Sequence, residues 1–508
     1  MSLVSMEFLV FVCMAAAVYY MIPRKHQWIS LLVFSYIYYA SSGIKVVFFL
    51  LYTTVTTYLA GIWLWNAENS EASKADKKRK KRRILIFTLV LNFGMLAVLK
   101  YTNFVIENIN AIFGGGITFQ KLILPLGISF YTFQSMGYII DLYWGKHEPE
   151  RNPFRFALFV SFFPQLLQGP IGRFGKLANQ LYAGHSFELQ RIQRALQLIL
   201  WGYFKKMVLA DRAAVVVNEV FLNSQKYTGA AILAAVLCYS IQLYADFSGG
   251  IDVVRGVAAI FGIELDQNFR QPYFAVSITD FWHRWHITLG TWMKDYIFYP
   301  LSLSKGMTKF GKSAKKVLGK KMGRVMPVAA ANIVVFLVVG VWHGAAWKYI
   351  VYGLYNGLII AVSGILAPYY GKWFQVFHIN PKSKAWHVVK IVRTFILVNI
   401  SWYFDMGVNL RTAFVMMKNT VTGFSVSSVT DGSLLTLGLD RGDFLILAAG
   451  CLVVFIISLL KENKIQVRES LEKKPLVIRF AVYGMLILAL PFLGYLTAGG
   501  GGFIYAQF

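Results

Sequence analysis

Apolar stretches of roughly membrane-spanning length recur from one end of this 508-residue chain to the other, and that recurrence limits the fold more than any other feature. They fall near residues 4–22, 28–41, 44–66, 84–101, 122–143, 154–170, 192–209, 229–247, 327–346, 348–368, 388–404, 442–460 and 476–497. Backbone that crosses hydrocarbon must satisfy its own polar groups, so such stretches fold as helices. The chain therefore reads as an all-α, polytopic integral membrane protein with about a dozen helices. Several stretches fall short of the ~20 residues that span a ~30 Å core, and these are expected to tilt or re-enter. A composition 57% hydrophobic and 15% charged excludes an ordinary soluble domain of this length. No separate soluble domain is visible, so residues 1–508 read as one transmembrane domain.

The net charge of +27 would suit nucleic acid, but the basic residues sit mainly in short loops between apolar runs, where they orient helices instead. The run KKRKKRR at 77–83 and the Arg24-Lys25 turn lie two spans apart and so on one side, read as cytoplasmic. The 305–324 loop, with eight Lys or Arg and no acid, and the Lys-rich 461–474 segment join them. The N-terminus then faces outside, as does the weakly charged 410–440 region containing FSVSSVTDGSLLTLGLD. The opening MSLVSMEFLVFVCMAAAVYY lacks a positive n-region and a small-residue cleavage site, and reads as the first membrane helix. Cys13, Cys238 and Cys451 lie far apart in apolar surroundings, a pattern of packing residues rather than of metal ligands or disulfides. The AGGGG run at 498–502 reads as a flexible break before an aromatic tail.

Two polar interruptions stand out. Residues 276–301, VSITDFWHRWHITLGTWMKDYIFYPL, are too polar for a lipid-facing helix and form either an interfacial amphipathic helix or the wall of a cavity. As one helix, the segment would pair Asp280 with Arg284 and put Trp282 on the face of His286. The His283-x-x-His286 spacing lacks a third ligand, so no metal site is expected. The second interruption is His343, within PVAAANIVVFLVVGVWHGAAWKYIVYGLYNGLII. It lies 16 residues past Pro327, about 24 Å into a helix at ~1.5 Å per residue. A titratable group at that depth faces protein or water, and Gly340, Gly344, Ala345 and Ala346 leave room beside it. Such a histidine either bonds a neighbouring helix or takes the proton of a hydroxyl during acyl transfer. There is no G-x-S-x-G elbow, Walker A loop or H-E-x-x-H motif.

Seven segments share one further property. PLGISFYTFQSMGYIIDLY at 125–143, FFPQLLQGPIGRF at 162–174, GYFKKMVLAD at 202–211, YSIQLYADFSGGIDV at 239–253, DFWHRWHITLGTWMKDYIFYPL at 280–301, GVWHGAAW at 340–347 and FIYAQF at 503–508 together resemble the membrane-bound O-acyltransferase superfamily. They are most similar to its bacterial branch that O-acetylates exported polysaccharides such as alginate. The resemblance covers most of residues 120–360 and the extreme C-terminus, in the family's order.

It implies a ring of tilted or re-entrant helices around a thin centre, where a cytoplasmic entrance and an extracytoplasmic funnel meet at a catalytic histidine. The location implied is the bacterial inner membrane. Carried over residue by residue, the essential histidine falls on His343 and a second on His286, while His283 is outside the pattern. Arg284, Trp285, Asp246, Gln242, Trp342 and Asn332 are expected to line or support the path. The implied acyl donor is acetyl-CoA, with no bound cofactor and no nucleic acid. The implied partners are membrane lipid, an extracytoplasmic relay protein of the SGNH-hydrolase kind, and a glycan acceptor. The family often has a histidine before the last glycine of the GLYNG segment, where this chain has Asn356. Other readings are D-alanyl transfer from a carrier protein to teichoic acid, a glycan or lipid transporter, and a scaffold for glycan export.

Overall fold

A computed structural model of the chain describes residues 1–495 and 502–503; apart from Gly502 and Phe503, the AGGGG run and the FIYAQF tail lie outside the described residues. The architecture is helical, and among the described residues the only extended pairing is an isolated bridge between Phe269 and Trp285. The principal helices are α1 (Met6–Met21), α2 (Gln27–Ala40), α3 (Ile44–Glu68), α4 (Lys74–Phe113), α5 (Ile128–Tyr143), α6 (Pro153–Ser161), α7 (Leu189–Tyr203) and α8 (Asp211–Leu222). They continue with α9 (Gly229–Ile260), α10 (Ile278–Arg284), α11 (Ile287–Met293), α12 (Lys305–His343), α13 (Trp347–Leu366), α14 (Lys384–Met406), α15 (Arg441–Glu462) and α16 (Leu476–Leu493).

Seven of the described helices, α3, α4, α9, α12, α13 with the turns after it, α15 and α16, are long and apolar enough to cross a membrane. The chain is thus a multi-pass membrane protein. The remaining apolar stretches form shorter helices such as α1, are interrupted, or, like 388–404, lie in a helix outside those seven, α14. The 122–143 stretch becomes helical only at Ile128, because Gly127 turns the chain with φ 73°. A Cβ at Gly127 would stand 2.4 Å from the Leu166 carbonyl oxygen, so only glycine fits there. The 154–170 stretch breaks at Phe162, between α6 and a single turn, Phe163–Leu166. Of the three cysteines only Cys238 is buried; Cys13 is exposed, so it is not the packing residue that the sequence suggests.

The chain forms two compact units. The first comprises Met1–Tyr203 and Gly249–Gln267. In it α7 packs closely on the end of α9: a Cβ at Gly202 would lie 2.6 Å from the Gly249 oxygen, and one at Gly256 would lie 2.5 Å from Ile199. Tyr19 donates to the Phe261 carbonyl at 3.1 Å and Tyr203 to that of Leu3 at 2.7 Å, so both hydroxyls are satisfied inside the unit.

The second unit comprises Phe204–Ser248 and, of the described residues, 268–495. Its centre is the antiparallel hairpin of α12 and α13. The two backbones nearly touch where Gly340 faces Gly353: a Cβ at Gly353 would fall 2.3 Å from the Phe336 oxygen and 3.1 Å from the Gly340 Cα. Small residues at such a crossing let helices associate through close van der Waals contact where lipid removes the usual hydrophobic drive.

Gly353→Ala is therefore expected to destabilise the fold by about 1–3 kcal/mol through overpacking. Gly364→Ala, further along α13 with nothing within 4 Å of its Cβ position, should leave stability unchanged or raise it. Thermal melts of the two variants in detergent, followed by circular dichroism, check the pair.

Candidate active site

His343 ends α12, and the chain stops being helical there because Gly344 is fully extended, with φ −178° and ψ 164°. Three residues later α13 starts and turns Tyr349 back toward the histidine. Both glycines are needed for this. A Cβ at Gly344 would sit 2.3 Å from the Tyr349 ring, and one at Gly340 would sit 2.3 Å from the Tyr349 carbonyl oxygen. The imidazole, 4% exposed, is enclosed by Trp342 at 5.1 Å between ring centroids, Tyr352 at 5.2 Å and Tyr349 at 6.3 Å, the last nearly parallel to it.

Trp342 also meets His286, at 5.8 Å, so the indole stands against both imidazoles. Phe247 of α9 closes on His286 from another side at 4.9 Å. His286 itself is 2% exposed. The structure thus brings His343, His286 and Trp342 together, and adds Tyr349, Tyr352 and Phe247 around them.

The 276–301 segment is not the single helix that its spacing suggests. α10 ends at Arg284, Trp285 is extended, and His286 takes φ 46°, ψ 54°, a left-handed conformation uncommon outside glycine. The break has a long-range cause. The Arg270 amide donates to the Arg284 oxygen at 2.9 Å, and the Ile287 amide to the Asn268 oxygen at 3.0 Å, so an extended strip grips the chain on both sides of His286. Asn268 Oδ1 then accepts from the amide and the hydroxyl of Thr288, at 2.9 and 2.7 Å. Trp282 and His286 accordingly do not share a helical face. Strain of this kind is kept only where surrounding structure fixes it, and it concentrates at functional sites.

The other expected residues fall in different places. Arg284 makes the expected pair with Asp280 at 2.9 Å and a second with Glu462 at 2.8 Å. Asp246 does not pair with Arg284. It faces the buried Lys206 ammonium at 2.7 Å, which also meets Asp211 at 2.8 Å. Lys206 lies in a π-helical segment, Phe204–Ala210, where the widened turn carries two buried lysines.

Trp285 is buried in an aromatic cluster, stacked on Phe281 at 5.4 Å and edge-on to Phe269 at 5.0 Å. Gln242 is buried on α9, and its Oε1 has no hydrogen-bond partner among the described residues. Asn332 is half-buried beside Gly357, about three turns of α12 from His343, and is not part of the aromatic enclosure. Asn356 accepts from the Trp282 indole at 3.2 Å and donates to the Tyr352 carbonyl at 3.0 Å, so it ties α10 to α13 next to the histidine. His283 is exposed, and no cluster of three potential metal ligands occurs among the described residues.

Sequence reasoning missed Tyr349, Tyr352, Asn268 and Lys206. The tyrosines lie within an apolar stretch and look like ordinary packing, whereas Asn268 acts across 19 and 20 residues without any local periodicity to reveal it.

The model of the MBOAT, membrane-bound O-acyltransferase family, matches residues 150–404, which include every site residue named above except Glu462. The chain is 32% identical over 399 residues to the probable alginate O-acetylase AlgI of Pseudomonas syringae pv. tomato, spanning 78% of this chain and 70% of that protein. To the peptidoglycan O-acetyltransferase of Helicobacter pylori it is 34% identical over 364 residues, 66% of this chain and 64% of that one. To the teichoic acid D-alanyltransferase of Bacillus subtilis it is 30% identical over 297 residues, 57% of this chain and 70% of that one.

Removing one member of a buried ion cluster leaves uncompensated charge, so Lys206→Met is expected to destabilise by about 3–5 kcal/mol. Neutralising the carboxylates as well, with Asp246→Asn and Asp211→Asn, should recover part of the loss. Denaturation midpoints of the single and triple variants in detergent measure both.

Proposed function

Since the chain belongs to the membrane-bound O-acyltransferase family and is an O-acyltransferase, we propose that it moves an acetyl group from cytoplasmic acetyl-CoA to an extracytoplasmic hydroxyl, with His343 as the base. The observation that carries this reading is the enclosure of His343 at the end of a membrane-length helix, walled by Trp342, Tyr349 and Tyr352 and adjoining a second buried imidazole. An aromatic wall keeps bulk water, the competing acceptor, away from a reactive acyl group. The unprotonated imidazole is the form that accepts a proton in this role.

The step balances simply. An unprotonated ring nitrogen of His343 takes the proton of the acceptor hydroxyl as its oxygen attacks the thioester carbonyl. The carbon–sulfur bond breaks, the thiolate leaves, and the imidazolium returns the proton to sulfur. The products are an acetyl ester and free CoA. His286 stands close enough to orient the acceptor or to assist the developing charge, and Trp342 fixes the spacing of the two imidazoles. Arg284, Asp246, Trp285, Gln242 and Asn332 support or line the path from greater distance.

The whole chain acts in this reading as one transmembrane domain in the inner membrane. Its N-terminus lies outside and its basic loops lie in the cytoplasm, where CoA phosphates meet positive charge. The acceptor is a hydroxyl of an extracytoplasmic relay protein of the SGNH-hydrolase kind, or of the glycan itself. Support comes from relatives whose names specify alginate and peptidoglycan O-acetylation. The similarity to a teichoic acid D-alanyltransferase keeps a D-alanyl carrier as the second donor to try.

Purified wild-type, His343→Ala and His286→Ala proteins, reconstituted and given radiolabelled acetyl-CoA with a hydroxyl acceptor, test the reading. Thioester turnover is expected to fall by at least about 10²–10⁴-fold in His343→Ala and less in His286→Ala. Equal rates in wild type and His343→Ala would remove the base. Turnover with a D-alanyl carrier but none with acetyl-CoA would change the cargo.

A further inference from the structure

The element Lys305–His343 is not one helix. It breaks at Gly319, whose φ of 88° and ψ of 172° only glycine adopts readily, and the chain on either side folds back into a two-legged hairpin. The legs are in contact: a Cβ at Gly311 would lie 2.8 Å from the Gly323 oxygen, and one at Gly323 would lie 2.9 Å from the Gly311 oxygen and 2.6 Å from Lys315 Cβ. This is a built element rather than a slack loop, and its second leg runs on into the helix that ends at His343.

Its tip reads KKVLGKK, residues 315–321. Val317 is 81% exposed and Leu318 55% exposed, an apolar pair standing outward between two lysine pairs that are themselves exposed. Residues 305–324 carry eight Lys or Arg and no acid, and none of the eight makes an ion pair among the described residues.

We propose that this tip binds the anionic phospholipid surface of the leaflet on its own side of the membrane. Val317 and Leu318 enter the boundary between headgroups and acyl chains, and Lys315, Lys316, Lys320 and Lys321 meet lipid phosphates. The flanking pattern is what an interfacial element needs, because lysine stems lie along apolar surface while their ammonium groups reach the phosphate level. A polybasic segment gains attraction from an anionic leaflet, and that attraction weakens with salt. A soluble acidic partner or the phosphates of a CoA donor would use the lysines but leave the apolar pair bare in water. The inference does not depend on the acyl-transfer reading.

The test uses the full chain in nanodiscs of phosphatidylcholine alone or mixed with phosphatidylglycerol. A Val317→Cys variant, in a background with Cys13 and Cys451 changed to Ser, carries an environment-sensitive fluorophore, and lipids bearing a nitroxide near the headgroup act as quenchers. The expected result is blue-shifted emission and quenching at least roughly twofold stronger in the phosphatidylglycerol discs, reduced at high salt. The gain should be lost when all four tip lysines are changed to Gln in protein that still elutes as one monodisperse species. Equal quenching in both discs would overturn the proposal. So would release of the fluorophore from the bilayer on adding acetyl-CoA, since the tip would then be a donor site.

Discussion

An ionisable side chain inside a membrane body is tolerated only when protein replaces the water that it has lost. His343 sets that demand here, and much of the second unit meets it. Gly344 ends the helix, Gly340 lets Tyr349 fold back, and Gly353 brings α13 against α12 so that Tyr352 reaches the imidazole. Asn356 then holds Trp282 and the Tyr352 carbonyl together beside it. Glycine and aromatic residues thus have complementary roles: the first let backbones approach, and the second fill the space next to the histidine.

The second histidine is positioned by different physics. His286 owes its place to backbone pairing with residues 268–270, which holds it in a left-handed conformation. The ion pairs around Arg284 and Lys206 stiffen the elements that carry this arrangement: Glu462 ties α15 to the end of α10, and Asp246 ties α9 to the π-helical segment.

Legibility in the sequence followed the range of the interaction. Membrane helices showed as long apolar stretches, because the bilayer imposes length and polarity locally. His343 stood out by contrast with its apolar neighbours, and Asp280–Arg284 by the four-residue spacing. The break at His286 was invisible, since its cause lies in a strip that precedes it by a whole short helix. Arg284 with Glu462, 178 residues apart, and Lys206 with Asp246, 40 apart, likewise leave no periodic trace. Asp246 was legible as a candidate site residue but its partner Lys206 was not, and of the two partners of Arg284 only Asp280 was. Gly319 showed only as one glycine in a basic loop, although it decides that the loop is a hairpin.

The proposed chemistry requires the acyl group to change sides of the membrane at His343. Sealed vesicles with the protein in one orientation, acetyl-CoA confined to the cytoplasmic face and a hydroxyl acceptor confined to the other, measure it directly. Labelled acetyl is expected to reach the acceptor while CoA stays on the side where it was added. Transfer that occurs only when donor and acceptor share a compartment would contradict it.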